Sequence, residues 1–137
     1  MRNKKVLVVV MALVACLAVG FVTEAAAKKK KIKVRTSVTL TVTTSHTGGP
    51  YGPSSAQGTF SGTVSARKKC QKGRRVTILK NGVAIGSTFS SGTGGYQAVF
   101  SGAGSGSYQA QVAKKKRKTK KAIIICKATI SGPVTVP

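Results

Sequence analysis

Acid is what this chain lacks. Of its 137 residues, 24 are Lys or Arg and a single one, Glu24, is acidic, giving a formal net charge of +23. Without Asp and Glu, whole reaction classes lose their chemistry. There is no carboxylate pair for glycoside hydrolysis, no hard oxygen set for calcium or magnesium, and no acid to complete a Ser-His-Asp triad. Histidine is nearly absent too. The lone His46, in TSHTGGPYG, reads as a solvated loop residue; only a Ser-His dyad could use it. A zinc centre needs more ligands than one His and two cysteines that are themselves read as paired. Tryptophan is missing, and the aromatics of the body of the chain (Tyr51, Phe60, Phe89, Tyr96, Phe100, Tyr108) stand apart from the lysines, so no stacking platform for single-stranded bases is expected. No Gly-Lys-Ser/Thr phosphate loop leads from strand to helix, and no amphipathic helix follows the first residues. The expectation is a protein that is not an enzyme and carries no cofactor or metal.

The N-terminus is apolar where the rest is not. MRNKK precedes the run VLVVVMALVACLAVGFV at residues 6–22, and TEAAAK places small residues at Ala25 and Ala27. Basic, apolar and small-residue parts in that order read as a secretory signal peptide over residues 1–27, cleaved before Lys28. A run of 17 residues is at the short limit of a membrane span, which leaves an uncleaved anchor as the alternative. LVAC also resembles a lipobox, so a lipoprotein anchored through Cys16 is a further one. Cleavage at 27 leaves residues 28–137, enough for one domain. Glu24 departs with the leader, as do Arg2, Lys4 and Lys5, so 21 of the 24 basic residues remain with no Asp or Glu. Such a chain repels itself and attracts polyanions.

Two cysteines remain, Cys70 and Cys126. An even count in an exported chain predicts a disulfide, worth roughly 4 kcal/mol for a loop of that length in the chain-entropy model. Two free buried thiols are the alternative. The rest of the chain alternates with period two. In VRTSVTLTV, Val34, Val38, Leu40 and Val42 share one face; Phe60, Val64 and Ala66 share another, as do Ile124, Cys126, Ala128 and Ile130. The pattern predicts seven strands, at residues 32–44, 58–70, 74–80, 83–90, 95–101, 106–113 and 122–131. Asn81-Gly82 between two of them is the strongest hairpin signal in the chain. The fold class expected is all-β: one seven-stranded antiparallel immunoglobulin-like sandwich.

The stretch GRRVTILKNGVAIGSTFSSGTGGYQAVFSGAGSGSYQAQV, residues 73–112, resembles the core of transthyretin-like, carboxypeptidase-regulatory-like and Cna-B-type modules. The likeness lies in the hairpin, the turn from Ser90 through Gly94 and Gly95 into Tyr96, and the later Gly106, Ser107, Tyr108 and Val112. It implies a transthyretin-like secreted bacterial module of accessory or adhesive kind. The acid that family turn carries near Ser91 is missing here. The Cna-B cross-link also needs a buried acid, so that bond is not expected.

The basic residues fall in three clusters. The first is Lys28, Lys29, Lys30, Lys31, Lys33 and Arg35. The second is Arg67, Lys68, Lys69, Lys72, Arg74 and Arg75. The third is Lys114, Lys115, Lys116, Arg117, Lys118, Lys120 and Lys121, read as a loop at a hairpin tip. Antiparallel strands reverse at each connection, so all three clusters should meet at one end, leaving the Asn81-Gly82 turn and the C-terminus at an almost uncharged opposite end. The function expected is binding of anionic polymers outside the cell or at its surface: wall polymer, acidic glycan, anionic lipid head groups or extracellular DNA. The rival is an adhesive module whose neutral faces meet a protein partner while the charge serves solubility. Oligomeric state is not encoded in any recognisable pattern. Intact mass of the exported protein checks the covalent expectations together. It should match residues 28–137 and drop by two hydrogens in the unreduced form; a retained leader or an acylated Cys16 would show directly as added mass.

Overall fold

Residues that alternate apolar and hydroxyl-bearing side chains cannot gather one dry face on a helix, but a pleated strand sorts them at once. The computed structural model describes residues 27–47 and 55–137, and 63% of these lie in strands against 4% in helix. The chain is all-β. The expected leader except Ala27, and with it Cys16, lies outside the described residues, as do residues 48–54 with Tyr51.

In chain order the strands are β1 (Lys30–Val34), β2 (Ser37–Val38), β3 (Thr41–Thr47) and β4 (Ser55–Ser65). A helical turn, α1 (Lys68–Gln71), follows. Then come β5 (Arg75–Lys80), β6 (Val83–Phe89), β7 (Gly95–Ser101), β8 (Gly106–Val112), β9 (Lys115–Lys118), β10 (Ala122–Cys126), β11 (Thr129–Ile130) and β12 (Val134–Val136). They form three sheets. In the first, β4 lies between β7 on one side and β2 and β3 on the other. In the second, the order is β11-β8-β5-β6, and β12 also pairs with β8. The third is small: β1 runs parallel to β10, and β9 pairs antiparallel on the other side.

Side chains from the first two sheets meet in one core. Phe60 and Val64 from β4 and Tyr96 from β7 pack with Val76 and Ile78 from β5 and Tyr108, Ala110 and Val112 from β8. Phe60 is fully buried at its centre, 5.7 Å from the Phe100 ring and 5.2 Å from that of Tyr108, spacings at which tilted rings attract. Asn81 and Gly82 hold φ of 50° and 83°, the left-handed pair a two-residue hairpin demands. Gly94 has φ of 92° and its backbone lies so close to the Val64 carbonyl that a Cβ would clash. Its own carbonyl accepts from the Val64 amide, so the turn into Tyr96 is stitched to β4.

The seven expected strands become twelve shorter ones, and the difference has a physical cause. The first and last expected strands each switch sheets. Residues 32–44 divide into β1, in the third sheet, and β2 and β3, in the first. The second division is braced: the Tyr96 hydroxyl donates to the Thr39 carbonyl, and the Thr39 hydroxyl accepts from the Thr63 amide at 3.0 Å. Residues 122–131 divide into β10 and β11, and the kink between them reverses the parity. Thr129 pairs with inward Val112, so Ala128 and Ile130 are exposed rather than aligned with Cys126. Residues 66–70 leave the strand for a bend and α1. Lys115–Lys118 is a strand rather than a loop, paired with β10 from Cys126 to Ile123.

Tyr96 gives the fold a pH dependence of its own. Burial pushes its phenol up to about 12, against about 10 when unfolded. The neutral phenol therefore contributes stability that is complete below pH 10 and lost as pH rises through 12. Lysines titrate over the same range, so the comparison is with Tyr96→Phe: thermal unfolding from pH 9 to 12 should show the gap between the two proteins shrinking as pH rises. A gap independent of pH would refute this.

Candidate polyanion-binding site

The third sheet carries much of the positive charge. Its strands are short and lysine-rich, and lysine stems can lie along a sheet while their heads stay in water. Register assigns the faces, since paired residues in adjacent strands share one. Ala122, Ile124 and Cys126 of β10 are buried, and beside them stand Ile32 and Val34 of β1 and Arg117 and Lys115 of β9. This inner face turns toward α1. With Cys70 it forms a second small core of Val34, Cys70, Ile124 and Cys126. On the outer face the half-buried Ile123 and Ile125 make a central ridge, flanked by Lys31 and Lys33 on β1 and by Lys116 and Lys118 on β9. The two lysine rows are two strand spacings apart, roughly 9–10 Å.

The disulfide forms as expected. Cys70 and Cys126 are both fully buried, and their Cα atoms are 5.5 Å apart across a sequence separation of 56. It joins α1 to β10 rather than one large sheet to the other, and so brings the second basic cluster against the first and third. Two hydrogen bonds repeat the tie: the Lys115 Nζ donates to the Gly73 carbonyl at 2.7 Å, and the Arg117 guanidinium to the Lys69 carbonyl at 2.9 Å.

Most of the expected residues come together at this end. Lys28, Lys29, Lys30, Lys31 and Lys33 lie on or just before β1, and Arg35 just after it, all exposed. The Lys29 Nζ reaches the Thr119 carbonyl at 3.3 Å, at the β9–β10 tip that carries Lys120 and Lys121. Arg67, Lys68, Lys69 and Lys72 are exposed around α1, and Lys114, Lys116, Arg117 and Lys118 along β9. Arg75 is exposed on the second sheet, paired across strands with Phe89. The opposite end holds the Asn81-Gly82 turn, whose Asn81 side chain accepts from the Ser107 amide, and β12, which pairs with residues 106–108. Lys80 lies there, its Nζ 5.7 Å from the Tyr108 ring. One further cation at the basic end lies outside the three sequence clusters. Lys127 is exposed and shares a shallow pocket with Lys33 and Lys114. Its position directly after Cys126 was the available signal.

Arg74 is a correction. Its place in the second basic cluster predicts an exposed ligand-binding cation, and it is buried, 1% exposed. Its guanidinium donates to the carbonyls of Cys70 at 2.9 Å, Ala113 at 2.7 Å and Lys127 at 2.9 Å, and more weakly to the Thr36 hydroxyl at 3.4 Å. Only Nε has no partner. Burial lowers its pKa. Each acceptor lies where the chain passes from one sheet to another or near the end of α1, so the fork supplies donors to carbonyls that no strand pairs there. It holds the site together and does not face a ligand.

Exposed His46 lies on β3, and among the described residues no three His, Cys, Asp or Glu gather as a metal would need. No protein-family model, characterised protein or solved structure matches the chain.

The neighbouring arginines give a direct test. Arg74→Met removes the donors of the buried Cys70 carbonyl and of the part-buried Ala113 and Lys127 carbonyls, and with about 1–3 kcal/mol for the fully buried one it should destabilise the fold by about 2 kcal/mol or more in urea unfolding. Arg75→Met, at an exposed position, should stay within about 0.5 kcal/mol. Equal effects would overturn the assignment.

Proposed function

We propose that this chain is an exported, non-enzymatic β-sandwich module that binds anionic polymers outside the cell through its basic end. The carrying observation is one of composition and placement together. After Glu24 no acid occurs, and β1, α1 and β9, which together with the residues flanking them hold most of the cations, are tied to one another by a sheet, a disulfide and side-chain hydrogen bonds. Positive charge therefore has no internal counter-ion at that end and must take its neutralisation from solution. Wall polymer, acidic glycan, anionic head groups and extracellular DNA all offer it. Recognition would be electrostatic, salt-sensitive and weakly sequence-selective, as phosphate-backbone binding is.

The strand order supports an immunoglobulin-like reading of the two larger sheets, β3-β4-β7 against β11-β8-β5-β6. It departs from the constant-type order in that β6 stays with its hairpin partner β5 instead of joining β7. The transthyretin-like kinship rests on the motifs of residues 73–112. A second reading has its own support. Val83, Phe89, Val99 and Ile130 are exposed large apolar residues away from the lysine rows, and a protein partner could cover them while the charge serves solubility.

A sulfated polysaccharide column separates the two. The protein should be retained at about 0.1 M NaCl, where the Debye length is near 10 Å. Reversing Lys31, Lys33, Lys116 and Lys118 to Glu should bring elution to markedly lower salt. Free passage of the unaltered protein at 0.1 M would reject polyanion binding.

A further inference from the structure

The inner face of the third sheet is not fully covered by α1. Between them lies an open pocket of about 340 Å³, lined by Ile32, Val34, Ile124, Arg67, Lys68 and Lys69. The apolar residues come from β1 and β10 and form the floor. The cations come from α1 and the residue before it and form the rim. The rim is held in place by the Cys70–Cys126 bridge on one side and by the Arg117 bond to the Lys69 carbonyl on the other, so the pocket exists before any ligand arrives.

We infer that this pocket binds a small single-chain amphipathic anion, an alkyl chain ending in a phosphate or carboxylate. The inference deepens the polyanion reading and rests on it, because both draw on cations without acids to neutralise them. Two complementary halves argue for it. An apolar floor without charge takes hydrocarbon, and three cationic side chains at its rim, in a chain with no acid after Glu24, take an anionic head through charge-assisted hydrogen bonds. The volume is at the small end for ligand pockets, which favours one chain over a ring system or a two-chain lipid. The floor faces α1 rather than outward, so a chain within a bilayer would have to leave it to enter. The free amphiphile is the ligand that fits.

Octyl phosphate is the probe, with hexyl phosphate and inorganic phosphate beside it, and the methyl resonances of Ile32, Val34 and Ile124 in the full chain are the readout. Octyl phosphate should shift those methyls saturably. Hexyl phosphate should bind more weakly by about fourfold per missing methylene, and inorganic phosphate should leave the methyls in place. Ile32→Phe fills the pocket and should abolish the shifts of Val34 and Ile124. Lys68→Glu with Lys69→Glu, at exposed positions that do not hold the core, should weaken octyl phosphate at least tenfold. Each variant matches the unaltered protein at every other position, so a difference in binding belongs to the pocket. Retention on sulfated polysaccharide should be almost unchanged in Ile32→Phe. Loss of methyl shifts with retained polysaccharide binding in that variant is therefore the pattern expected. Unaltered protein that shows no methyl shift, equal shifts from inorganic phosphate, or equal binding by Ile32→Phe each overturns the pocket while leaving the polyanion reading standing. Shifts of the same size from anionic phospholipid vesicles would overturn the choice of a free amphiphile. Failure of column retention alone would remove the polymer reading and not the pocket.

Discussion

One buried guanidinium holds the junction on which the rest of this structure depends. The chain passes between the lysine-bearing sheet and the larger ones at three places near Arg74: between β1 and β2 at Thr36, between β8 and β9 at Ala113, and between β10 and β11 at Lys127. A strand that changes partners leaves carbonyls without ladder donors, and buried carbonyls must find donors elsewhere. Arg74 reaches all three places and the end of α1 as well. Lysine could not substitute, since its point-like ammonium lacks the planar fork that spreads donors over several directions. Burying a cation is costly even so, and no carboxylate offsets it. The carbonyl dipoles act as its solvent shell, so the side chain and the strand switches require each other.

The absence of acid shapes everything outside that junction. Two unit charges about 10 Å apart in water repel by roughly 0.4 kcal/mol, a small figure multiplied over many neighbours at one end of the molecule. Ordinary domains cancel this with surface ion pairs. This one instead places its cations on strand edges and on a turn tied by a covalent bond. The disulfide acts on the unfolded chain, where it removes freedom, and so contributes stability that charge repulsion in the folded state does not diminish. Lysines also flank Ile123 and Ile125 on the neighbouring strands, and a charged edge discourages pairing with another chain.

The sequence announces the middle of the chain well and its ends poorly, for a reason of partners. Strands expected at 74–80, 83–90, 95–101 and 106–113 occur at Arg75–Lys80, Val83–Phe89, Gly95–Ser101 and Gly106–Val112, because each stays in one sheet and the alternation reports its face directly. The outer strands alternate just as cleanly, yet a strand that passes from one sheet to another keeps its period while changing its partner, and period alone cannot register the change. Arg74 shows the opposite case, a signal that was present. It has the parity of Val76 and Ile78, both fully buried, so the alternation of GRRVTI already pointed it inward; the charge of its neighbours concealed this. Lys115–Lys118 reads as a loop because four consecutive cations look unpairable, and it becomes a strand because β10 offers an apolar edge to one side and water to the other.

Rigidity is what separates this basic end from a basic tail. A flexible lysine run loses chain entropy when it is ordered on a ligand, whereas cations already set on paired strands lose only side-chain freedom. The same fixing raises the energy of the unbound protein, since like charges are held near one another instead of drifting apart. Any anion that settles among them relieves that repulsion, and a ligand that prefers the folded state stabilises it by mass action. In the proposed reading, binding and folding are coupled through one quantity, the unneutralised charge. The junction at Arg74 and the bridge at Cys70–Cys126 keep that charge assembled while no ligand is present. Both are internal and acid-free, so neither competes with an incoming anion for the exposed lysines.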